Sequence, residues 1–162
     1  MDMIIAFAAI VGILLSVFLL WSHTTERIAT HRTSTELRQF AKDVSNELLM
    51  SKGEPSNWSA GTYPLNVTQI NAMGFVHEPW VLTTQRMDGF RSMNYSQRKE
   101  ILGILGPGYE FDVTVSYYNG SHSSQIWSAG ANMTDPAIVA VQERMALYNR
   151  SWVTLTVRVW QE

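Results

Sequence analysis

Six of the eight asparagines in this 162-residue chain stand in the pattern N-x-[ST] with no proline in the middle. They are Asn57-Trp-Ser, Asn66-Val-Thr, Asn94-Tyr-Ser, Asn119-Gly-Ser, Asn132-Met-Thr and Asn149-Arg-Ser. In this pattern the asparagine amide is an acceptor for an N-linked glycan on the outside of a cell. Chance supplies roughly one or two matches among eight asparagines. The excess implies an exterior, glycosylated domain after residue 56, with N-linked glycans as the expected covalent groups.

No other constellation carries chemistry. His23, His31, His77 and His122 sit singly, with no H-E-x-x-H, H-x-H or carboxylate cluster at ligand spacing, and there is no cysteine for a thiolate site or a disulfide. The glycines of GILGPG, residues 103–108, close a helix rather than open one after a strand, so they do not form a phosphate cradle. No serine lies in a G-x-S-x-G elbow. The reading is of a protein that is not an enzyme, with no catalytic residue, no cofactor site and no metal site. Net charge is −2, and the 12 Lys and Arg form no block longer than Arg98-Lys99, which gives no footprint for nucleic acid.

The elements that would carry the glycan acceptors begin with MDMIIAFAAIVGILLSVFLLW. Met3 to Trp21 is an almost unbroken apolar run, roughly 28 Å long as a helix, about one hydrocarbon thickness. Its flanks conflict with the glycan acceptors. Arg27, Arg32 and Arg38 follow the run, and the positive-inside rule would keep that side in the cytoplasm, whereas the sequons require it outside. A short basic leader, cut before Met1 after insertion, reconciles the two. Ala8, Gly12 and Ser16 recur every four residues, a small-xxx-small stripe that lets a second apolar helix approach closely.

Leu37, Phe40, Ala41, Val44 and Leu48 then recur at helical spacing among balanced charges, so the helix continues in amphipathic form to about Met50. Residues 22–35, rich in Thr and Ser, are the expected weak link, where a bend is anticipated. Gly53 and Pro55 end the helix. The resulting division is an assembly or membrane helix over 1–50, a loop over 51–66 pinned by Trp58, and a head of about 100 residues over 67–162.

In the head, Val67 to Met73 suits one helical turn, Thr83 or Thr84 opens a short helix, and Asn94 or Ser96 caps a second whose apolar face is Ile101, Leu102 and Leu105. YEFDVTVSYY alternates as a strand, Asn119-Gly120 is a hairpin signal, and SSQIWSA is the return strand. AIVAVQERMALY puts Val139, Val141, Met145 and Leu147 on one face. SWVTLTVRVW does the same for Val153, Leu155, Val157 and Val159, with Trp152 and Trp160 on the opposite face. The short link Asn149-Arg150 between these two segments and their β-branched content favour a strand hairpin over a helix for 137–147.

The whole pattern resembles the archaeal type IV pilin and pseudopilin families. The wording is nearest in MDMIIAFAAIVGILL, in GEPSNW followed by MGF, in YSQRKEILGILGPGYEFDVTV and in the final hairpin ending VTLTVRVW. The resemblance implies a pilin-like α+β fold: a long hydrophobic, then amphipathic, N-terminal α-helix followed by a small head with an antiparallel β-sheet and short helices. It further implies a self-associating helical homopolymer on the cell surface, made by a pilus assembly machine after a prepilin peptidase cuts the leader, with the subunit held in the membrane before assembly. Two departures stand out: the first residue is not Phe, and no Glu occupies position 5. Asp2 is the acid near the start, and its expected role is to neutralise an α-amino group inside the apolar core. The alternative reading is a single-span, membrane-anchored exterior domain, as a minor pilin-like component or surface binding module.

Overall fold

A computed structural model describes residues 2–59, 69–106, 108–118 and 124–162, and within the first helix leaves out the side chains of 2, 4–6, 8, 9, 26, 29 and 30. The chain divides into two compact units, Met1–Glu36 and Leu37–Glu162.

Helix α1 spans Asp2–Met50, so residues 22–35, the expected weak link, are helical. Three hydroxyls there bond to carbonyls one turn back, Thr24 to Leu20 at 2.7 Å, Thr25 to Trp21 at 2.8 Å and Thr35 to His31 at 2.8 Å. Satisfied in that way, they no longer draw the backbone out of the helix.

The expected pilin-like fold, with a hydrophobic N-terminal helix able to span a membrane and an antiparallel sheet, is corrected in both parts. Among the described residues no helix is long and apolar enough to cross a membrane. The sheet, in turn, is mixed.

Unit Leu37–Glu162 is built on the last turns of α1. Leu37, Ala41, Val44 and Leu48 are buried at i, i+4, i+7 and i+11, with Leu49 beside them, as one stripe of an amphipathic helix. Phe40 is partly buried and meets the Tyr109 ring edge-on at 5.9 Å. The carbonyls that a helix end leaves unpaired are taken up by the chain that follows: Ser51 N–H donates to Glu47 O, Phe75 N–H to Leu48 O at 2.8 Å and Trp80 N–H to Leu49 O at 3.0 Å. Gly74 permits this approach, since a Cβ there would lie 1.6 Å from the Ser51 carbonyl oxygen. Trp58 is buried and its indole N–H donates to Lys52 O, which fastens the loop as expected.

The remaining elements are β1 (Val76–Glu78), β2 (Val81–Leu82), α2 (Thr84–Ser92), α3 (Tyr95–Ile101), β3 (Tyr109–Tyr117), β4 (Ser124–Gly130), β5 (Ile138–Tyr148) and β6 (Ser151–Gln161). They form one six-stranded sheet in the order β1-β2-β5-β6-β3-β4. All neighbours are antiparallel except β2 and β5. The reversal from β1 to β2 passes through Trp80 in a left-handed conformation, φ 69°, and brings β2 out alongside β5 in the same direction. There Leu147 N–H donates to Trp80 O at 2.7 Å. Asn94 caps α3, accepting from Ser96 N–H, while Gln97 accepts from Asn94 N–H in return.

The core lies on the inner face of the sheet. Phe111, Val113, Val115, Val153, Leu155, Val157 and Val159 are fully buried in one cluster with the α1 stripe, Phe75 and Phe90. One local expectation changes: Leu105 is exposed while Ile104 is buried, because Gly103, φ 70°, turns the chain after the helix and swaps the face presented. On β5 the buried residues are Ala140 and Ala146, and Val139, Val141 and Met145, which share the other face, point outward. Pairing with β6 explains this: Ala140 lies opposite Val159 and Ala146 opposite Val153, so the small residues share the inner face with the branched ones. Of the segment 67–73, residues 69–73 are described, with Ala72 bridging to Glu54, and the expected hairpin tip at Asn119-Gly120 lies outside the described residues.

Candidate functional site

Two surfaces carry the expected functional residues. The first is α1 before the head. From Ile10 to Trp21 every residue is exposed, including Ile13, Leu14, Leu15, Val17, Phe18, Leu19 and Leu20. These positions pass through more than three helical turns, so the apolar surface runs round the whole helix and is not a stripe. A helix apolar on all sides is one that is buried in its working state. Trp21, 72 % exposed, closes this segment.

Of the assembly residues expected from sequence, Gly12 and Ser16 lie on this exposed surface one turn apart. Ser16 Oγ donates to Gly12 O at 2.8 Å, which leaves its hydroxyl satisfied within the helix. A Cβ added at Gly12 would meet nothing within 4 Å, so the position is open to a neighbouring helix. The side chains of Asp2 and Ala8 lie outside the described residues.

The second surface is set by the sequons. Asn57, Asn94, Asn132 and Asn149 are exposed, while Asn66 and Asn119 lie outside the described residues. Asn149 occupies a left-handed conformation, φ 48°, with Arg150 at φ 65°, as a two-residue hairpin between β5 and β6 requires. Asn94 is committed through its side-chain oxygen to the cap of α3.

On the outer face of the sheet Trp152 is exposed but Trp160 is fully buried. The topology separates them. The connection from β4 to β5 must pass the ends of β3 and β6, where Trp160 lies, whereas Trp152 is at the hairpin end of β6. Asp112 on β3 pairs directly with Arg158 on β6, whose Nε lies 3.0 Å from Oδ2. Burial pushes the Asp112 carboxyl up from its ordinary range, and the Arg158 guanidinium opposes that shift. Tyr95 Oη donates to Glu110 and accepts from Phe111 N–H, and Lys99 Nζ reaches Glu110 Oε1 at 3.1 Å. Burial raises the Tyr95 phenol, with the Glu110 carboxylate adding to it.

Arg98, noted in the sequence only as part of the pair Arg98-Lys99, is buried and stacked over the rings of Phe90 at 5.3 Å and Tyr95 at 5.6 Å. The available signal was its spacing three residues after Tyr95 and three before Ile101, on the packed face of a short helix. Among the described residues no group of three or more His, Asp or Glu is placed to hold a metal ion. No protein-family model matches this chain, and neither a curated protein nor a solved structure matches it.

Proposed function

We propose that the protein is a structural subunit of an extracellular filament, joined to copies of itself through the apolar segment Ile10–Trp21 of α1 and displaying a glycosylated head. The observation that carries this reading is the exposure of that segment on every side of the helix. Exposed apolar surface of this extent marks an association site, and a surface that surrounds a helix is covered most completely by several like helices. The small residues Gly12 and Ser16 support close approach within such a bundle. The exposed sequons support an exterior location, because glycans at Asn57, Asn94, Asn132 and Asn149 would be accommodated without disturbing the core.

A filament requires that one surface meet a different one by a rotation that does not close. Bundled helices related by a screw operation satisfy this. Shearing cells and examining the released material by electron microscopy and mass spectrometry tests the reading. Fibres containing this chain, with hexose added at exposed sequons, are expected. Recovery of the chain only from detergent-extracted membrane, with none in sheared fibres, would contradict it.

A further inference from the structure

The outer face of β6 changes character along its length. Alternation puts Trp152, Thr154, Thr156 and Arg158 on that face, since Val153, Leu155 and Val157 between them are fully buried. Thr154, Thr156 and Arg158 are polar and half-buried. Trp152, at the hairpin end, is 59 % exposed. Leu147 lies directly opposite it on β5. On the β3 side its neighbour is Tyr118, whose N–H donates to Trp152 O at 3.2 Å, one rung beyond the pair Tyr117 and Val153. Tyr118 is 63 % exposed, so two large aromatic side chains stand in solvent on adjacent chains at this end of the sheet.

One exposed apolar residue is ordinary, but neighbouring open aromatic rings suit a particular ligand. An aromatic ring is flat and apolar and carries negative charge on its face. A pyranose sugar presents the complement, a face of C–H groups with partial positive charge, while its hydroxyls stay at the rim in contact with water. Laying a sugar flat on such a ring covers apolar surface without stripping the hydroxyls of their hydrogen bonds.

The same hairpin carries an acceptor for a sugar. Asn149 and Arg150 are its two turn residues, between the paired positions Tyr148 and Ser151. Asn149 is exposed and heads the sequon Asn149-Arg150-Ser151. It lies two residues beyond Leu147, the cross-strand partner of Trp152, a step of about 7 Å along the strand. An asparagine side chain with one or two sugars attached spans that distance. Asn57 and Asn94 are also followed by aromatic residues, but Trp58 is buried and Tyr95 is half-buried and stacked on Phe111, so neither offers an open ring.

We infer that the ring of Trp152, with Tyr118 beside it, is the seat of a glycan carried by Asn149, a sugar of which lies with its C–H face on the indole. The inference rests on the reading of the head as exterior and glycosylated. Seated there, the glycan takes a fixed place on the head and covers the aromatic end of the sheet. The test uses the full chain isolated from its own cells. Wild type is compared with Ser151→Ala, which removes the sequon and leaves Asn149 in its left-handed turn, and the pair is repeated in a Trp152→Ala background. Peptide mass spectrometry is expected to find a glycan at Asn149 of the wild type. A sugar over one of the two indole faces roughly halves the open ring surface, so hydroxyl-radical oxidation of Trp152 should rise about twofold in Ser151→Ala. The melting temperature should fall by about 3 °C on Ser151→Ala when Trp152 is present and by less than about 1 °C in the Trp152→Ala background. Glycan on no sequon would overturn the glycosylated reading of the head and this assignment with it. Glycans elsewhere but none at Asn149, equal oxidation of Trp152 in wild type and Ser151→Ala, or the same melting shift in both backgrounds would each overturn the assignment alone.

Discussion

The two ends of α1 use apolar residues in opposite ways. From Leu37 to Leu49 they recur on one side and are buried against the sheet, while from Ile10 to Trp21 they occupy every side and are exposed. Both stretches are helix, so secondary structure does not distinguish them; the angular spread of apolar side chains does. A stripe about a third of the circumference wide is completed by one surface of the same chain. A full circle needs several surfaces, which a single small head does not provide. The pattern around a helix thus tells whether its partners are internal or external.

The comparison is broken most severely by placing a charge in each end. Leu48→Asp should unfold the head, because a carboxylate in that fully buried position costs several kcal/mol with no partner to offset it. Leu14→Asp should leave the urea midpoint of the full chain, followed by tryptophan fluorescence, within about 0.5 kcal/mol of wild type. The same substitution should cut filament yield by roughly a hundredfold, since it buries a charge at each repeated contact. Equal loss of stability in the two variants would end the distinction.

A second substitution sharpens the internal side. Gly74→Ala should destabilise the head by about 3 kcal/mol or more, as its Cβ would overlap the Ser51 carbonyl and displace the chain whose amides pair with the end of α1. A denaturation midpoint equal to wild type would show that this junction does not hold the helix.

Much of this arrangement was legible in the sequence, though unevenly. The stripe from Leu37 to Leu48, the alternating strands β3 and β6, and the Asn94 cap all follow from local periodicity and capping chemistry, which act within a few residues. What escaped was decided at long range. The direction of β2 depends on its register with Leu147, more than 60 residues away, and the outward turn of Val139, Val141 and Met145 depends on which β6 residues lie opposite. Residues 22–35 stay helical despite their composition: propensity counts Thr and Ser as helix-weakening, but not that Thr24, Thr25 and Thr35 each find a carbonyl one turn back. The apolar run was plain, yet among the described residues no helix is long and apolar enough to cross a membrane.

The smallest expected effect concerns pH. Burial holds the Glu47 carboxyl above its ordinary value of 4.5, outweighing the hydrogen bond it accepts from Met73 N–H, and burial moves Asp112 the same way. A carboxyl whose folded value lies above its unfolded one favours folding when protonated. Its stabilising contribution is therefore complete below the unfolded value and is lost as pH rises through the folded one. Both groups predict that the head loses stability as pH rises above their ordinary values, 3.8 for Asp112 and 4.5 for Glu47, and Glu47→Gln should flatten that slope. A slope unchanged in the Gln variant would remove Glu47 from the account.

Because the chain has no cysteine, Leu14→Cys supplies a single thiol in the middle of the exposed segment. Oxidising assembled material carrying this substitution, together with a Phe18→Cys preparation mixed in, and reading the products on a non-reducing gel tests the self-association claim directly. Disulfide-linked dimers that disappear on reduction, formed in fibres and not in dilute dispersed protein, are the predicted result. Fibres that form normally yet give only monomer at both positions would contradict packing through Ile10–Trp21.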